Sequence, residues 1–184
     1  DDIYICGSSQ QGGHLYLQNH TGQFKEKTQK AFLENTKHEE VACLFFDCDN
    51  DGDLDLYVGS GGNNQAPQSL QLAHHLFKND GKGNFTLTTN AFPPNTSNVG
   101  AVVSLDFDSD GDQDLFIGGR CTSFVYGIIP KSYYLQNDGQ GHFSEIKQND
   151  KSTKLGMITG AVVADVVGDA KKEIIVVGEW MNPK

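Results

Sequence analysis

The sequence is poor in positive charge. Lysine and arginine together number 14 against 24 acidic residues, which gives a formal net charge of −10, and Arg120 is the single arginine. Nucleic-acid binding draws most of its affinity from Lys and Arg contacts to phosphates. An acidic surface of this kind therefore argues against a nucleic-acid partner.

The sequence also lacks a long apolar run. No stretch approaches the roughly 18 apolar residues that a membrane-spanning helix needs, and the chain opens on two aspartates instead of a basic and then apolar segment. We therefore expect no membrane insertion and no attached signal peptide. The four cysteines include no Cys-x-x-Cys pair, which argues against a zinc knuckle and leaves three disulfide connectivities open.

Signatures of catalysis are missing as well. No serine lies in a Gly-x-Ser-x-Gly elbow, and the six histidines show no metal-ligand spacing. We assign the histidines to turns and the surface, and we expect a protein that is not an enzyme and has no catalytic residues.

An internal repeat organises what is present. Asp47, Asp106 and Asp165 follow one another at equal intervals of 59 residues. Around each of them the same features recur: an apolar run, an acidic turn, a second apolar run ending in glycine, a variable loop, a third run ending in asparagine, a turn and an aromatic residue. A period of this size indicates repeated supersecondary units.

The apolar runs predict strands, because they are short, rich in β-branched and aromatic residues, and bounded by turn residues. The first runs, expected to be short and fully buried, are 41–46, 100–105 and 160–164. The second runs are 54–59, 114–119 and 173–178, and the third are 15–19, 75–79 and 133–137. The Asn-Asp-Gly turns that begin at Asn79 and Asn137 predict hairpins, since these residues tolerate the positive φ of a tight turn.

Short strands at this spacing, without a convincing helix, predict an all-β fold built from tandem four-stranded antiparallel blades of a partial β-propeller. A β-sandwich with two decorated loops is the alternative. The expected units are an incomplete blade at 1–40, blades at 41–99 and 100–159, and an incomplete blade at 160–184, together forming one array. Because propellers contain about four to eight blades, we expect a fragment of a longer protein whose edge strands invite self-association.

Two acidic loops carry the pattern of a calcium site. In 47–55 and again in 106–114, aspartate occupies positions 1, 3, 5, 7 and 9 and glycine occupies position 6. Calcium takes about six to eight oxygen ligands, and alternating ligands and spacers wrap carboxylates around one centre while the glycine makes the bend. The aspartate at position 7 is expected to use its backbone carbonyl. The predicted metal residues are Asp47, Asp49, Asp51, Asp53, Asp55, Asp106, Asp108, Asp110, Asp112 and Asp114.

The third loop departs from this pattern. It begins with Asp165 but has Val167 at position 3, Ala170 at position 6 and Lys171 at position 7. Valine offers no ligand and lysine adds positive charge, so we expect no calcium there. Magnesium is disfavoured in the first two loops because it keeps its waters and accepts fewer carboxylates.

The strand, Asp-x-Asp-x-Asp-Gly-x-x-Asp loop, strand and glycine resemble FG-GAP/VCBS repeats, the blades of integrin-α-like propellers. The segments NDGKGNF at 79–85, NDGQGHF at 137–143 and VVGEWMNP at 176–183 are most similar to bacterial ASPIC/UnbV-type repeat proteins. This resemblance implies a calcium-stabilised propeller on a secreted, periplasmic or cell-surface protein.

The combined interpretation is a calcium-stabilised extracytoplasmic binding or scaffold module that recognises a protein or a carbohydrate. The long loops 60–70 and 120–131 are expected to offer the recognition surface. The alternative is the non-catalytic part of a secreted polysaccharide lyase or hydrolase. Glycosidases need a carboxylate pair at a defined separation, and the clustered carboxylates here are committed to metal.

Overall fold

The computed structural model describes residues 1–67 and 69–184, and nearly all of their regular structure is β-strand. Two helices of four residues, α1 (Lys30–Leu33) and α2 (Asp150–Thr153), and a 3-10 helix at Leu70–Leu72 lie between strands. The strands are β1 (Ile3–Ile5), β2 (His14–Gln18), β3 (Phe24–Glu26), β4 (Glu39–Phe46), β5 (Asp55–Gly61), β6 (His75–Asn79), β7 (Phe85–Thr88), β8 (Asn98–Leu105), β9 (Asp114–Cys121), β10 (Tyr133–Asn137), β11 (Phe143–Glu145), β12 (Met157–Ala164) and β13 (Glu173–Glu179).

These strands form antiparallel sheets in which neighbours in sequence are neighbours in space. Among the described residues the sheets are β1–β2–β3, β4–β5–β6–β7, β8–β9–β10–β11 and β12–β13. We call them blades 1, 2, 3 and 4. The first strands pack side by side from blade to blade, β4 beside β8 and β8 beside β12. This arrangement confirms the predicted all-β fold of tandem four-stranded blades. The boundaries of the repeat units at 40, 99 and 159 stay a prediction.

The hydrophobic core lies between the blades. Successive side chains of a strand point to opposite faces, so one strand serves two interfaces. Leu56 and Val58 of β5 pack toward blade 1, and Tyr57 between them packs toward blade 3, all with essentially no exposure. In β9, Leu115 and Ile117 face blade 2 whereas Phe116 faces blade 4. The near-continuous apolar sequence of the second strands follows from burial on both faces.

The first strands of the blades differ from expectation in length and in burial. β4, β8 and β12 begin at Glu39, Asn98 and Met157, before the predicted starts at 41, 100 and 160. Most of their residues are only half-buried, whereas we predicted full burial. In the described sheets each of these strands has a hydrogen-bonded neighbour on one side only, which leaves its other edge open.

Both predicted hairpins are present, joining β6 to β7 and β10 to β11. The positive φ angles fall on the glycines, at Gly81 (71°) and Gly83 (72°) in the first hairpin, rather than on the Asn-Asp pair. The Asn and Asp side chains act as backbone acceptors instead. Asp80 Oδ1 accepts from Lys82 N at 3.0 Å, and Asn79 Oδ1 accepts from Gly83 N at 3.0 Å.

Two of the histidines are not on the surface, so the prediction for them was wrong. His74 and His75, at the start of β6, are both buried, and burial lowers the pKa of each to about 3. They are therefore neutral at physiological pH. His74 Nδ1 is 2.7 Å from the hydroxyl of Tyr57, while His75 packs edge to face against His38. The adjacent histidines thus serve opposite faces of blade 2.

Candidate metal centre

Loop 1, residues 47–55, connects β4 to β5 through a bend that its own side chains stabilise. The backbone enters the left-handed region at Asn50 (φ 58°) and Gly52 (φ 89°). Gly52 N donates to Asp47 Oδ2 at 3.0 Å, and Asp53 N donates to Asp51 Oδ1 at 2.9 Å. The aspartates at positions 1 and 5 therefore hold the turn at positions 6 and 7.

Loop 2, residues 106–114, repeats this geometry between β8 and β9. Its backbone is left-handed at Ser109 (φ 64°) and Gly111 (φ 98°). Gly111 N donates to Asp106 Oδ2 at 3.1 Å, and Asp112 N donates to Asp110 Oδ1 at 2.9 Å. The aspartates and the glycine that the two loops share therefore produce the same local structure.

Carboxylates converge inside each of these loops. Asp47, Asp49 and Asp51 each offer an oxygen, and these oxygens lie within 4.8 Å of one another; Asp106, Asp108 and Asp114 do the same in loop 2. Repulsion between such close negative charges costs about 1 kcal/mol per pair even at the dielectric constant of water. Both loops are therefore suited to a cation with several oxygen ligands.

Loop 1 contains unpartnered acceptors as well. Asp47 Oδ1 and Asp49 Oδ1 are buried and have no hydrogen-bond partner among the described residues. A buried polar atom without a partner costs about 1–3 kcal/mol, and more when it carries charge. A calcium ion accepts such oxygens as ligands, so the donor set of loop 1 fits this metal.

The aspartate at position 9 has a second role that the sequence did not reveal. Asp55 and Asp114 are almost fully buried, and both oxygens of each accept a backbone N–H. Cys48 N and Asn79 N donate to Asp55 at 3.0 and 2.8 Å, and Phe107 N and Asn137 N donate to Asp114 at 2.8 Å each. Burial raises the pKa of Asp114. These carboxylates join the start of each loop to the third strand of the same blade.

The aspartate at position 7 lies at the rim of each loop. The Asp53 carboxylate contacts Gly81 and that of Asp112 contacts Gly139, in the hairpin of the same blade. Partial desolvation, with repulsion from the neighbouring carboxylate of Asp51, raises the pKa of Asp53. Asp112 Oδ1 also accepts from Asn50 Nδ2 at 2.5 Å, which brings the rims of loops 1 and 2 together.

Loops 1 and 2 differ in the residue that contacts position 3. Lys78 Nζ lies 2.8 Å from Asp49 Oδ2 and donates to the carbonyl of Gln140 in blade 3 at 2.7 Å. The equivalent residue in blade 3 is Gln136, whose Nε2 donates to Asp108 Oδ2 at 2.5 Å. Loop 1 therefore has a tethered positive charge beside its carboxylates, and loop 2 has a neutral amide there.

Loop 3, residues 165–173, keeps the bend but not the ligands. Ala170 N donates to Asp165 Oδ2 and Lys171 N donates to Asp169 Oδ1, both at 3.0 Å. Val167 is 71% exposed and offers no oxygen from its side chain. In the part of the chain that the structure describes, no residue of loop 3 belongs to a group able to hold a metal.

A family model described as an FG-GAP-like repeat matches residues 1–58 and again residues 47–117. The chain belongs to the FG-GAP-like repeat family. Repeats of this family are commonly extracellular binding or scaffold modules, their fold is non-catalytic, and they often bind Ca²⁺. No curated protein matches the chain. The predicted FG-GAP resemblance is thereby confirmed at the level of the family.

The two long loops predicted as a recognition surface meet in this FG-GAP array. Phe124 N donates to Asn63 Oδ1 at 2.6 Å, which joins 120–131 to 60–70. Gln68, in the first of these loops, lies outside the described residues. A groove of about 410 Å³ opens beside this contact, lined in part by Asn63, Arg120 and Tyr126.

Exposed aromatic side chains stand at the edge of this groove. Tyr126 is 65% exposed and Trp180 is 78% exposed, and their rings meet edge to face with centroids 5.1 Å apart. Arg120 forms an ion pair with Glu179 at 3.0 Å, which neutralises the only arginine.

Among the described residues, no helix is long and apolar enough to cross a membrane.

Proposed function

We propose that this chain is a calcium-stabilised binding or scaffold module that works outside the cytoplasm, with one Ca²⁺ in loop 1 and one in loop 2. Convergence of carboxylates in both loops supports this proposal. The single observation that carries it is the pair of buried, unpartnered oxygens on Asp47 and Asp49.

The ligand set follows from the loop positions. Positions 1, 3 and 5 supply side-chain oxygens, position 7 supplies a backbone carbonyl, and position 9 supplies a carboxylate that also braces the loop. The residues are Asp47, Asp49, Asp51, Asp53 and Asp55 in loop 1 and Asp106, Asp108, Asp110, Asp112 and Asp114 in loop 2. The ion supplies positive charge that offsets the repulsion among these carboxylates.

Calcium in loop 1 stabilises more than the loop itself. Asn137 Nδ2, in the hairpin of blade 3, donates to the carbonyl of Cys48 in loop 1 at 2.8 Å. Lys78 and Asn50 make further contacts from blade 2 to blade 3. A fixed loop 1 therefore holds the interface between two blades, so the role of the metal is structural.

The partner of the module is a protein or a carbohydrate that binds at the groove beside Asn63 and Tyr126. Exposed Tyr and Trp side chains are typical of recognition surfaces because each offers a large apolar area and a polar atom. We also propose that NDGKGNF, NDGQGHF and VVGEWMNP belong to ASPIC/UnbV-type repeats, and such repeats fit a secreted or cell-surface setting.

Calcium removal tests the proposal. Extracellular calcium modules bind with dissociation constants of about 10⁻⁴ to 10⁻³ M, so 10 mM Ca²⁺ stabilises by about 1.4–2.7 kcal/mol per site. We expect EGTA to lower the melting temperature by about 10 °C, Ca²⁺ to restore it and Mg²⁺ to fail. Isothermal titration should give two ions per chain. Equal melting curves in EGTA and in Ca²⁺, or full restoration by Mg²⁺, contradict the proposal.

A matched pair of variants separates the calcium loops from a general charge effect. Asp108→Asn in loop 2 removes one predicted ligand, whereas Asp169→Asn in loop 3 removes one acid that is not expected to bind metal. We expect the first variant to bind one ion with measurable affinity and the second to bind two.

Glycan-array and protein-binding screens test the recognition surface. We expect any specific signal of the wild type to be lost in Tyr126→Ala.

A further inference from the structure

The interface between blades 1 and 2 contains two cysteines from distant parts of the chain. Cys6 directly follows β1 of blade 1, and Cys43 lies on β4 of blade 2. Both are half-buried and pack against the same apolar cluster, which includes Tyr4, Leu56 and Phe77. Because β4 alternates, Cys43 faces blade 1 while its neighbours Ala42 and Leu44 face blade 3.

The two cysteines contact this shared cluster from opposite sides of the interface. The nearby Cys43 thiol, together with burial, raises the pKa of Cys6, and the Cys6 thiol lowers the pKa of Cys43. The backbone around them is held by Glu40, whose Oε2 accepts from Gly7 N at 2.7 Å and whose own N–H donates to Gly7 O at 3.1 Å. The cysteine pair therefore sits on a backbone that is fixed across the interface.

The other blade interfaces provide an internal comparison. In the repeat, Cys6 corresponds to Gly59 and Gly118. A Cβ at those glycines would lie 3.1 Å from the Val99 side chain and 2.6 Å from that of Ile158, so the space there is already filled. The combination of two facing cysteines is thus specific to the interface of blades 1 and 2 within the described chain.

The remaining cysteines are placed apart from this pair and from each other. Cys48 is fully buried at the start of loop 1, in the cluster between blades 2 and 3. Cys121 is the last residue of β9, at the end of the strand opposite to loop 2. Cys48 and Cys121 lie at opposite ends of their blades. Their Cα atoms are therefore further apart than the roughly 7 Å that a disulfide allows.

We propose that Cys6 and Cys43 form a disulfide that joins blade 1 to blade 2. The oxidant is a small-molecule disulfide such as oxidised glutathione. The Cys43 thiolate attacks one sulfur of this disulfide and releases the first thiolate; Cys6, after losing its proton to solvent, then attacks the sulfur of Cys43 and releases the second. Two protein thiols become one disulfide, and one small disulfide becomes two thiols.

This inference goes beyond the calcium-binding module and does not depend on the metal. Secreted proteins meet the oxidising conditions in which such bonds persist. The bond closes a chain segment of 37 residues between Cys6 and Cys43. It should raise the melting temperature of the oxidised protein by about 10 °C relative to the reduced protein, because cross-linking a loop of this size raises the free energy of unfolding by a few kcal/mol.

Peptide mapping of the full chain tests the proposal. The reduced protein is incubated with oxidised glutathione, alkylated, and digested with trypsin and with a protease that cleaves before aspartate, since Asp47 separates Cys43 from Cys48. We expect a cross-linked peptide joining Cys6 to Cys43, a loss of two hydrogens, and a fall from four free thiols to two. Four free thiols after oxidation, or a cross-link between other cysteines, would overturn it.

Serine variants provide the matched control. Cys6→Ser should abolish both the cross-link and the redox dependence of the melting temperature, whereas Cys121→Ser should keep both. Oxidation-dependent stabilisation that persists in a folded Cys6→Ser variant contradicts the proposal. If Cys6→Ser does not fold, the peptide map of the wild type and of Cys121→Ser still decides the question.

Discussion

Loops 1, 2 and 3 have the same backbone bend, but loop 3 carries less negative charge than loops 1 and 2. In all of these loops the carboxylate at position 1 accepts from the N–H at position 6, and that at position 5 accepts from position 7. Loop 3 nevertheless has Val167 at position 3 and Lys171 at position 7. Two aspartates therefore accompany the bend in every loop, and in our proposal the additional acids of loops 1 and 2 bind calcium.

Removal of the buried acid at position 9 should have the largest effect and should distinguish the loops. Asp55→Ala leaves two buried backbone N–H groups without an acceptor, so we expect a loss of about 2–4 kcal/mol of unfolding free energy. Glu173 of loop 3 is only half-buried and, within residues 1–67 and 69–184, accepts a single hydrogen bond, from Val166 N at 2.9 Å. Glu173→Ala should cost less than about 1 kcal/mol.

Urea denaturation in the presence of EGTA measures these costs without a contribution from calcium. Asp114→Ala serves as the matched variant in loop 2 and should behave like Asp55→Ala. If Asp55→Ala and Glu173→Ala lower the free energy of unfolding equally, burial of the position-9 carboxylate does not determine how much it stabilises the protein.

Conversion of loop 3 into a copy of loops 1 and 2 should create a third calcium site. The variant Val167→Asp, Ala170→Gly, Lys171→Asp supplies the missing ligands on a backbone that already has the required bend. We expect titration calorimetry to give three ions per chain and 10 mM Ca²⁺ to add about 1.4–2.7 kcal/mol of stability.

A control for this conversion places the new acid at a spacer position. Val166→Asp with Ala170→Gly and Lys171→Asp has the same net charge but lacks a carboxylate at position 3. This control should bind the third ion more weakly than the conversion variant. Two ions per chain in the conversion variant would mean that the shared backbone does not suffice for a metal site.

An exchange of the residues beside position 3 should alter the calcium affinities of loops 1 and 2 in opposite directions. Lys78 places a positive charge near Asp49, and a unit charge about 4 Å from a divalent cation opposes its binding by about 2 kcal/mol at the dielectric constant of water. Lys78→Gln should therefore strengthen binding at one site by up to about thirtyfold, and Gln136→Lys should weaken binding at the other by a similar factor.

Calorimetry at low and high salt checks this exchange, because a charge effect becomes smaller as ionic strength rises. An unchanged affinity in both variants would show that Lys78 acts only through its hydrogen bond to the carbonyl of Gln140. Weaker binding in Lys78→Gln would instead indicate that Lys78 positions Asp49 for the metal.

Most of the fold could be predicted from the sequence because its signals are local. The interval of 59 residues, the alternating apolar runs and the Asn-Asp-Gly turns determined the strands and their order. The contacts that the prediction missed join residues far apart in the chain, such as Asn137 with Cys48 and Gly7 with Glu40. Periodicity shows which face of a strand is apolar, but not which distant polar group lies opposite.

The site residues show the same division. The spacing of the acids indicated the loops, since position 6 needs a residue that tolerates positive φ and the alternating carboxylates fit calcium. The bracing role of Asp55 could not be seen because its donors, Cys48 N and Asn79 N, are backbone groups on two different segments. The asparagine that recurs as the last residue of β6 and of β10 was the one signal that pointed to it.

The smallest predicted effects have opposite signs at position 6. Gly52 has φ of 89° and Ala170 has φ of 68°, and an L-residue with a side chain is disfavoured in this region by about 1 kcal/mol. A Cβ at Gly52 would meet nothing within 4 Å, so the backbone alone determines the cost. Gly52→Ala should lose about 1 kcal/mol of stability, and Ala170→Gly should gain about 0.5–1 kcal/mol.

Thermal unfolding in EGTA compares these variants without metal, and Gly111→Ala, which is equally open, should match Gly52→Ala. A gain in Ala170→Gly would show that loop 3 keeps the bend of a metal loop despite backbone strain that glycine relieves in loops 1 and 2. A loss in Ala170→Gly would mean that the flexibility of glycine in the unfolded chain outweighs this strain. The bend of loop 3 would then be held by Asp165 and Asp169 alone, without a contribution from the residue at its apex.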